Sequence, residues 1–341
     1  MKIYHLSHTD LDGYGAQYIT NFYFKDVKFL NSNYGREIDD KFAQILSEID
    51  ASNDGKNIIL ITDLNLSLAQ CESFEEMIEG KNIKLFLLDH HQSGAECASA
   101  YSWYFLDSSR CATKITYDFF AGIFGQNKEL EIFSDVVNAV DIWLKDDKNF
   151  EMGKVCLGLV ANAKEINKVM FEAENNLYMD HILKEASKFF NDKNDYIGLD
   201  MQVHAIKKSF FKEDKDDTLS NLISNYVVKK LSENKEKFSI SYKDHKGILT
   251  YNVGNVSVIG NDFLVANPEF DFFIDVTNKK TLSFRANGKL DVSAMAKHLV
   301  GGGGHVSASG GLFANFKDGF SYEPIKAQIV DLITKKTQEE I

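Results

Sequence analysis

The chain has 341 residues, 44% of them hydrophobic and 12% aromatic, with only two prolines, Pro268 and Pro324. At ~100–200 residues per domain this length is expected to form two cores, and the composition excludes a disordered or collagen-like polymer. The net charge of −12 comes entirely from residues 1–190, which hold 18 Lys+Arg against 30 Asp+Glu, while residues 191–237 hold 9 of each and residues 238–341 hold 11 of each; no broad basic face for long duplex DNA is expected.

In chain order, strand-like apolar runs alternate with amphipathic helical ones: KIYHLSH (2–8), then 12–24; DVKFLN (26–31), then 38–50; NIILITDL (57–64), then 67–79; and IKLFLLDHH (83–91). This βαβα order predicts a parallel sheet covered by helices on both faces. After the short run SWYFLD (102–107), residues 111–125 and 130–143 read as helices, and 152–190 as mostly helical. Residues 191–217 show little periodicity and 218–234 return to a helical pattern, so 191–237 read as linker plus connecting helix. From 238 the texture becomes short alternating runs, FSISY, GILTYNV, VSVIG, FDFFIDVT and TLSFRA, followed by one helix near 291–299 and a glycine-rich loop. This predicts a smaller C-terminal α+β domain with a mainly antiparallel sheet.

The opening MKIYHLSHTD lacks a basic segment followed by a long apolar run, and no stretch approaches the ~20 apolar residues of a membrane span. The four cysteines, Cys71, Cys97, Cys111 and Cys156, show no C-x-x-C spacing. A cytoplasmic location, with the cysteines as buried small hydrophobes, is the expectation.

Four points in residues 1–141 present His and Asp where apolar elements end: His8-Thr9-Asp10-Leu11-Asp12-Gly13, Asp63, Asp89-His90-His91 and Asp141. Taken singly, an aspartate after a strand is more often a helix cap, and a histidine pair more often lies in the core or on the surface. Taken together they differ, because the carboxyl ends of parallel strands share one edge, where ligands bind. Imidazole with carboxylate suits manganese, with magnesium, iron, cobalt or zinc open, and no cysteine stands at these points to suggest structural zinc. Asp10 and Asp12 are expected on the same side as His8, feeding two ions from one loop, with Asp63 able to bridge them. Further on, GGGGHVSASGG (301–311) follows a helix-like DVSAMAKHL. One glycine suffices for a helix cap, so Gly302, Gly303 and Gly304, with His305 beside them and Arg285 upstream, read as a phosphate cradle.

These residues resemble the DHH phosphoesterases, which include RecJ nucleases, family II inorganic pyrophosphatases, nano-RNases and cyclic-dinucleotide phosphodiesterases. His8 to Gly13 resembles their first motif and Asp89-His90-His91 the one that names them, and Ser283 to Gly311 is similar to the DHH-associated C-terminal domain. The resemblance covers nearly the whole chain and implies a catalytic domain at 1–190 and a substrate-binding domain at 238–341, with the active-site cleft between them. It implies that His8, Asp10 and Asp63 hold one divalent ion and that Asp12, Asp63, His90 and Asp141 hold the other. Asp89 would orient His90, His91 would be the non-ligand acid or electrostatic stabiliser, and Arg285, the glycines and His305 would bind substrate phosphates. The compact His-x-Asp-x-Asp-Gly form, DSSRCATKITYDFF (107–120) and the DIW around Asp141 are most similar to nano-RNase B-type oligoribonucleases, which trim short RNAs from the 3′ end. 3′-Phosphoadenosine-5′-phosphate and linear or cyclic dinucleotides such as cyclic di-AMP stay open, as do a homodimer and a non-catalytic nucleotide-binding regulator. A processive RecJ-like nuclease is disfavoured by the short chain and the lack of a basic tract.

Overall fold

In the computed structural model, which describes residues 1–52, 55–190, 195–214 and 216–338, the N-terminal alternation closes into a five-stranded sheet of order β2-β1-β3-β4-β5 with every neighbouring pair parallel. Its strands are β1 (Lys2–Ser7), β2 (Val27–Asn31), β3 (Asn57–Thr62), β4 (Ile83–Asp89) and β5 (Tyr104–Leu106). Between them run α1 (Leu11–Tyr23), α2 (Arg36–Ser52), α3 (Leu68–Ile78) and the short α4 (Ala95–Ala100). Alternation sends Tyr4, Leu6, Ile59, Ile61, Leu85 and Leu87 into one core with Phe42 of α2 and Phe74 of α3, whose rings stack 3.7 Å apart. The other side of β1 is polar yet buried: His5 Nε2 meets Thr62 Oγ1 at 2.8 Å, and Ser7 Oγ meets the same hydroxyl at 2.6 Å. Burial pushes the His5 imidazole down to about 3, so it packs as a neutral ring. Beyond β5 follow α5 (Ala112–Phe124), α6 (Lys128–Asp141), α7 (Phe150–Ala161), α8 (Glu172–Ser187) and α9 (Tyr196–Phe211); α1 and α5 pack against each other, and α5 also against β4.

Two compact units divide the chain: Met1–Ala163 with Asn176–Lys207, and Lys164–Asn175 with Lys208–Ile341. The second unit contains α10 (Leu219–Glu233), α11 (Lys235–Phe238), β6 (Ser239–Tyr242), β7 (His245–Tyr251), α12 (Val256–Ala266), β8 (Phe272–Val276), β9 (Thr281–Ala286), α13 (Val292–Val300), β10 (Gly303–His305), β11 (Ala308–Leu312) and α14 (Tyr322–Gln338). Its six-stranded sheet has the order β10-β11-β9-β8-β7-β6 and is antiparallel except for the parallel pair β7 and β8.

Three local expectations are corrected. VSVIG begins α12 and is not a strand; β-branched residues in a five-residue window mimic a strand, but parallel β7 and β8 require a crossover connection, which α12 supplies. Within the stretch read as linker, Tyr196–Phe211 is helical, while residues 191–194 and 215 of that stretch lie outside the described residues. The glycine loop is largely a hairpin, in which Gly303, Gly304 and His305 pair with Gly310, Ser309 and Ala308.

Candidate active site

The strand order β2-β1-β3 reverses direction at β1 and β3, so a crevice opens beyond their carboxyl ends. His8 is the first residue past β1, and Asp63 the first past β3. Asp10 is the N-cap of α1, accepting from Gly13 N at 3.0 Å, so the cap role and membership of the cluster fall on one carboxylate. Asp12 is not on the loop with Asp10 as expected: helix α1 has already begun and turns it away from the extended His8–Asp10 segment. Its carboxylate, almost fully buried, accepts from Ala112 N and Thr113 N, each at 2.7 Å, at the amino end of α5, where the helix dipole favours an anion. Asp141 is the last residue of α6.

Gly13 makes this arrangement sterically feasible. A Cβ there would stand 2.3 Å from the carbonyl oxygen of His8, a backbone clash that no side-chain rotation relieves. Gly13→Ala is therefore expected to destabilise the fold by about 1–3 kcal/mol, despite the gain of roughly 0.5–1 kcal/mol that Ala usually brings to a helix. Urea melts of the two proteins check this, and an unchanged midpoint would contradict it.

Two clusters of side-chain atoms that could hold a cation share Asp63. His8 Nδ1 lies 2.8 Å from Asp10 Oδ2 and 3.6 Å from Asp63 Oδ2. His90 Nε2 lies 3.4 Å from Asp63 Oδ1, 3.7 Å from Asp12 Oδ2 and 3.6 Å from Asp141 Oδ2. The structure thus brings together each set that the motifs implied, and Asp63 turns one oxygen to each. Its φ of +55° is unusual for a residue with a Cβ, a conformation that concentrates at functional sites.

Asp89 does not orient His90. Its Oδ1 meets His91 Nδ1 at 2.7 Å and its Oδ2 accepts from the Tyr104 hydroxyl at 2.9 Å. Residues i and i+2 of an extended segment share a side, so Asp89 pairs with His91 while His90 faces the carboxylates. The expectation that no cysteine joins the cluster is also corrected. Cys111, the N-cap of α5, places Sγ within 4.8 Å of oxygens of Asp12 and Asp141, and burial followed by the charge of Asp12 pushes its thiol well up, keeping it protonated.

In the second unit, Arg285 of β9 pairs with Ala308 of β11, which pairs with His305 of β10, so the three stand side by side on one face. Arg285 donates to Ser257 Oγ at 2.8 Å and to the Phe284 carbonyl at 2.7 Å, and His305 is exposed. The glycines acquire structural reasons: Gly301 is the left-handed cap of α13, and a Cβ at Gly302 or Gly304 would meet the Gly310 or Ala308 carbonyl oxygen at 2.2 or 2.7 Å. At Gly303 a Cβ would meet open space.

No family model matches the chain. It is 40% identical to a 3′,5′-cyclic-nucleotide phosphodiesterase of Helicobacter pylori strain 26695, over 97% of this chain and 99% of the relative. The crystal structure of an uncharacterized protein from Helicobacter pylori G27 is also 40% identical, covering 98% of this chain and 99% of that one with a TM-score of 0.87. The chain belongs to this family of phosphoesterases.

In this phosphoesterase the donor set fits divalent cations. Ligands on bonds of about 2.1 Å lie roughly 3.0–3.5 Å from one another, close to the separations around His90 Nε2, and Asp63 Oδ2 is buried with no hydrogen-bond partner. Electrostatics agree. Burial and then the charge of Asp12 push Asp63 well up, and the same two causes bring Asp141 up to about 8. Burial lowers His8, but hydrogen bonds and charge from Asp10 and Asp63 outweigh it and bring it up to about 10. Carboxylates this crowded stay ionised together only with positive charge among them, which a divalent ion supplies.

Three residues of the site escaped the sequence reading. Cys111 and Tyr104 gave no signal apart from their positions near strand ends. Tyr34 did give one, since it follows β2, the neighbour of β1, in LNSNYG. Its hydroxyl stands 3.1 Å from His91 Nε2 and its ring centroid 4.6 Å from that of His8.

Proposed function

We propose that this protein hydrolyses a phosphodiester bond of a small nucleotide, 3′,5′-cyclic nucleotides first. The observation that carries the reading is the pair of ligand sets joined through Asp63; the substrate class is taken from the 40% identical phosphodiesterase. His8, Asp10 and Asp63 would hold one divalent ion, and Asp12, Asp63, His90 and Asp141 a second, with manganese the leading candidate and magnesium or cobalt next. Such ions, when bound, lower the pKa of water and neutralise charge on phosphoryl oxygens.

The chain's own groups do the rest. Asp89 accepts the Nδ1 proton of His91, leaving Nε2 as the nitrogen that gives a proton to the departing oxygen. Its bond to Asp89 raises the His91 imidazole despite the opposing effect of burial, increasing the protonated fraction at neutral pH. Arg285 offers a planar, bidentate contact to a phosphate, and His305 adds a donor beside it, while the Gly302 amide is already spent on the Ala296 carbonyl at 3.0 Å.

Short oligoribonucleotides or linear dinucleotides are the second reading, favoured by the resemblance of residues 107–120 to nano-RNase B-type enzymes. Both readings imply small substrates. A long strand gains affinity by neutralising many phosphates, and this chain, with its acidic excess in residues 1–190 and balanced charge beyond, offers few such contacts.

The test is kcat/KM for a 3′,5′-cyclic nucleotide, a dinucleotide, and RNAs of about five and twenty nucleotides, with manganese, at two salt concentrations. Efficiency is expected to be highest for a small substrate with a shallow salt slope, and Arg285→Ala to raise KM about tenfold at unchanged metal content. Efficiency that rises with length and falls steeply with salt would favour a long-strand nuclease. Tight binding of every ligand without turnover would make the protein a nucleotide-binding regulator.

A further inference from the structure

Tyr34 is 44% exposed, and an exposed tyrosine after a strand is ordinarily left to solvent. Here the loop that carries it is fastened to the first motif. Ser32 N donates to the Ser7 carbonyl at 2.9 Å, Thr9 Oγ1 donates to Asn33 Oδ1 at 3.1 Å, and the Asn33 side-chain amide donates to Glu37 Oε2 at 2.7 Å. Gly35, at φ +82°, then turns the chain into α2. The result is a tyrosine held between two histidines from different motifs. Its ring lies against His8 at 4.6 Å and 37°, it meets the His91 ring nearly edge-on at 5.6 Å and 80°, and its hydroxyl is 3.1 Å from His91 Nε2.

His91 needs such a hold. Asp89 fixes only Nδ1, and a ring tied at one nitrogen can still pivot about that bond, while its side chain remains 31% exposed. We propose that Tyr34 is a positioning residue: in the substrate-free enzyme its phenolic oxygen accepts from the Nε2 N–H of His91 and holds the ring aimed, until the departing oxygen replaces the hydroxyl as the acceptor of that proton. The proposal rests on the reading of His91 as the proton donor in phosphodiester hydrolysis. The competing use of the same ring is as a stacking surface for a nucleobase, which needs the ring and not the hydroxyl.

Tyr34→Phe separates the two uses. The proposal expects kcat to fall about tenfold, within the range for lost supporting contacts, with KM within about twofold and metal content and melting temperature unchanged. Because the residue acts through His91, Tyr34→Phe combined with His91→Ala should be no slower than His91→Ala alone. Ring nitrogen NMR gives a readout independent of turnover: the Nε2 resonance of His91, assigned by its loss in His91→Ala, should shift in Tyr34→Phe. An unmoved resonance, or losses that multiply in the double variant, would overturn the proposal. A wild-type kcat in Tyr34→Phe with a raised KM in Tyr34→Ala would overturn it in favour of stacking. If the wild type turns over no phosphodiester, the proposed function fails, while the resonance still reports whether Tyr34 holds His91.

Discussion

Asp63→Asn is expected to abolish turnover and, at neutral pH, to make the metal-free protein more stable. Asparagine keeps the shape of aspartate and accepts the left-handed backbone at this position, where φ is +55°, better than alanine does. It cannot place an anionic oxygen toward both His8 and His90, so metal is lost from both ligand sets, and kcat should fall by about 10³-fold or more, beyond the roughly 10–100-fold loss typical of residues behind the ligands. Stability moves the other way because, without a metal ion, burial and the like charges of Asp12 and Asp10 outweigh the opposing hydrogen bond and charge of His8 at the Asp63 carboxyl. The folded pKa values of Asp63 and Asp141 lie above the ordinary 3.8. The folded state therefore binds more protons than the unfolded chain in the window above pH ~4, which for Asp141 closes near pH 8. The stability these two groups contribute is complete below that window and is lost as the pH rises through it. Melting temperatures of metal-stripped wild type should thus fall across the window, less steeply for Asp63→Asn, and added manganese should stabilise the wild type far more than the variant. A variant retaining a full metal complement and turnover would remove Asp63 from the shared position.

The second large effect is expected at His91. His91→Ala should keep its metal while kcat drops ~10²–10⁴-fold, the usual worth of a positioned general acid. The geometry separates it from its neighbour: His90 Nε2 faces three carboxylates, whereas His91 Nδ1 is spent on Asp89 and its Nε2 meets Tyr34. An acid matters most when the departing oxygen is basic. The loss should accordingly be large for a nucleoside leaving group and small for a p-nitrophenyl phosphodiester, whose phenolate leaves without a proton. Equal losses on both substrates would contradict the acid role, and loss of metal would place His91 among the ligands.

Much of this was legible because it is local or periodic. Alternating strands and helices predicted the parallel sheet, and motifs placed directly after strands predicted which side chains would meet, since parallel strands end on one edge. The misreadings share one cause. VSVIG looked like a strand because five β-branched and small residues carry no period long enough to distinguish helix from strand. The glycine run looked like an open loop because sequence does not reveal that Gly302 and Gly304 pass close to the carbonyls of Gly310 and Ala308 in a hairpin.

What the sequence determined by itself was the class of chemistry: histidines and aspartates at strand ends, a compact first motif, an acidic first segment and a second α+β unit. Each of these is a property of residue type, spacing or hydrophobic period. Only the tertiary structure decided that Asp89 serves His91 and not His90, that the amino end of α5 holds Asp12, that Cys111 lies beside the carboxylates, and that Tyr34 reaches His91 from another strand. These are contacts between segments up to about a hundred residues apart. They depend on which side of each strand end a side chain leaves from and on where the neighbouring helices begin, and the packing of the sheet against its helices sets both.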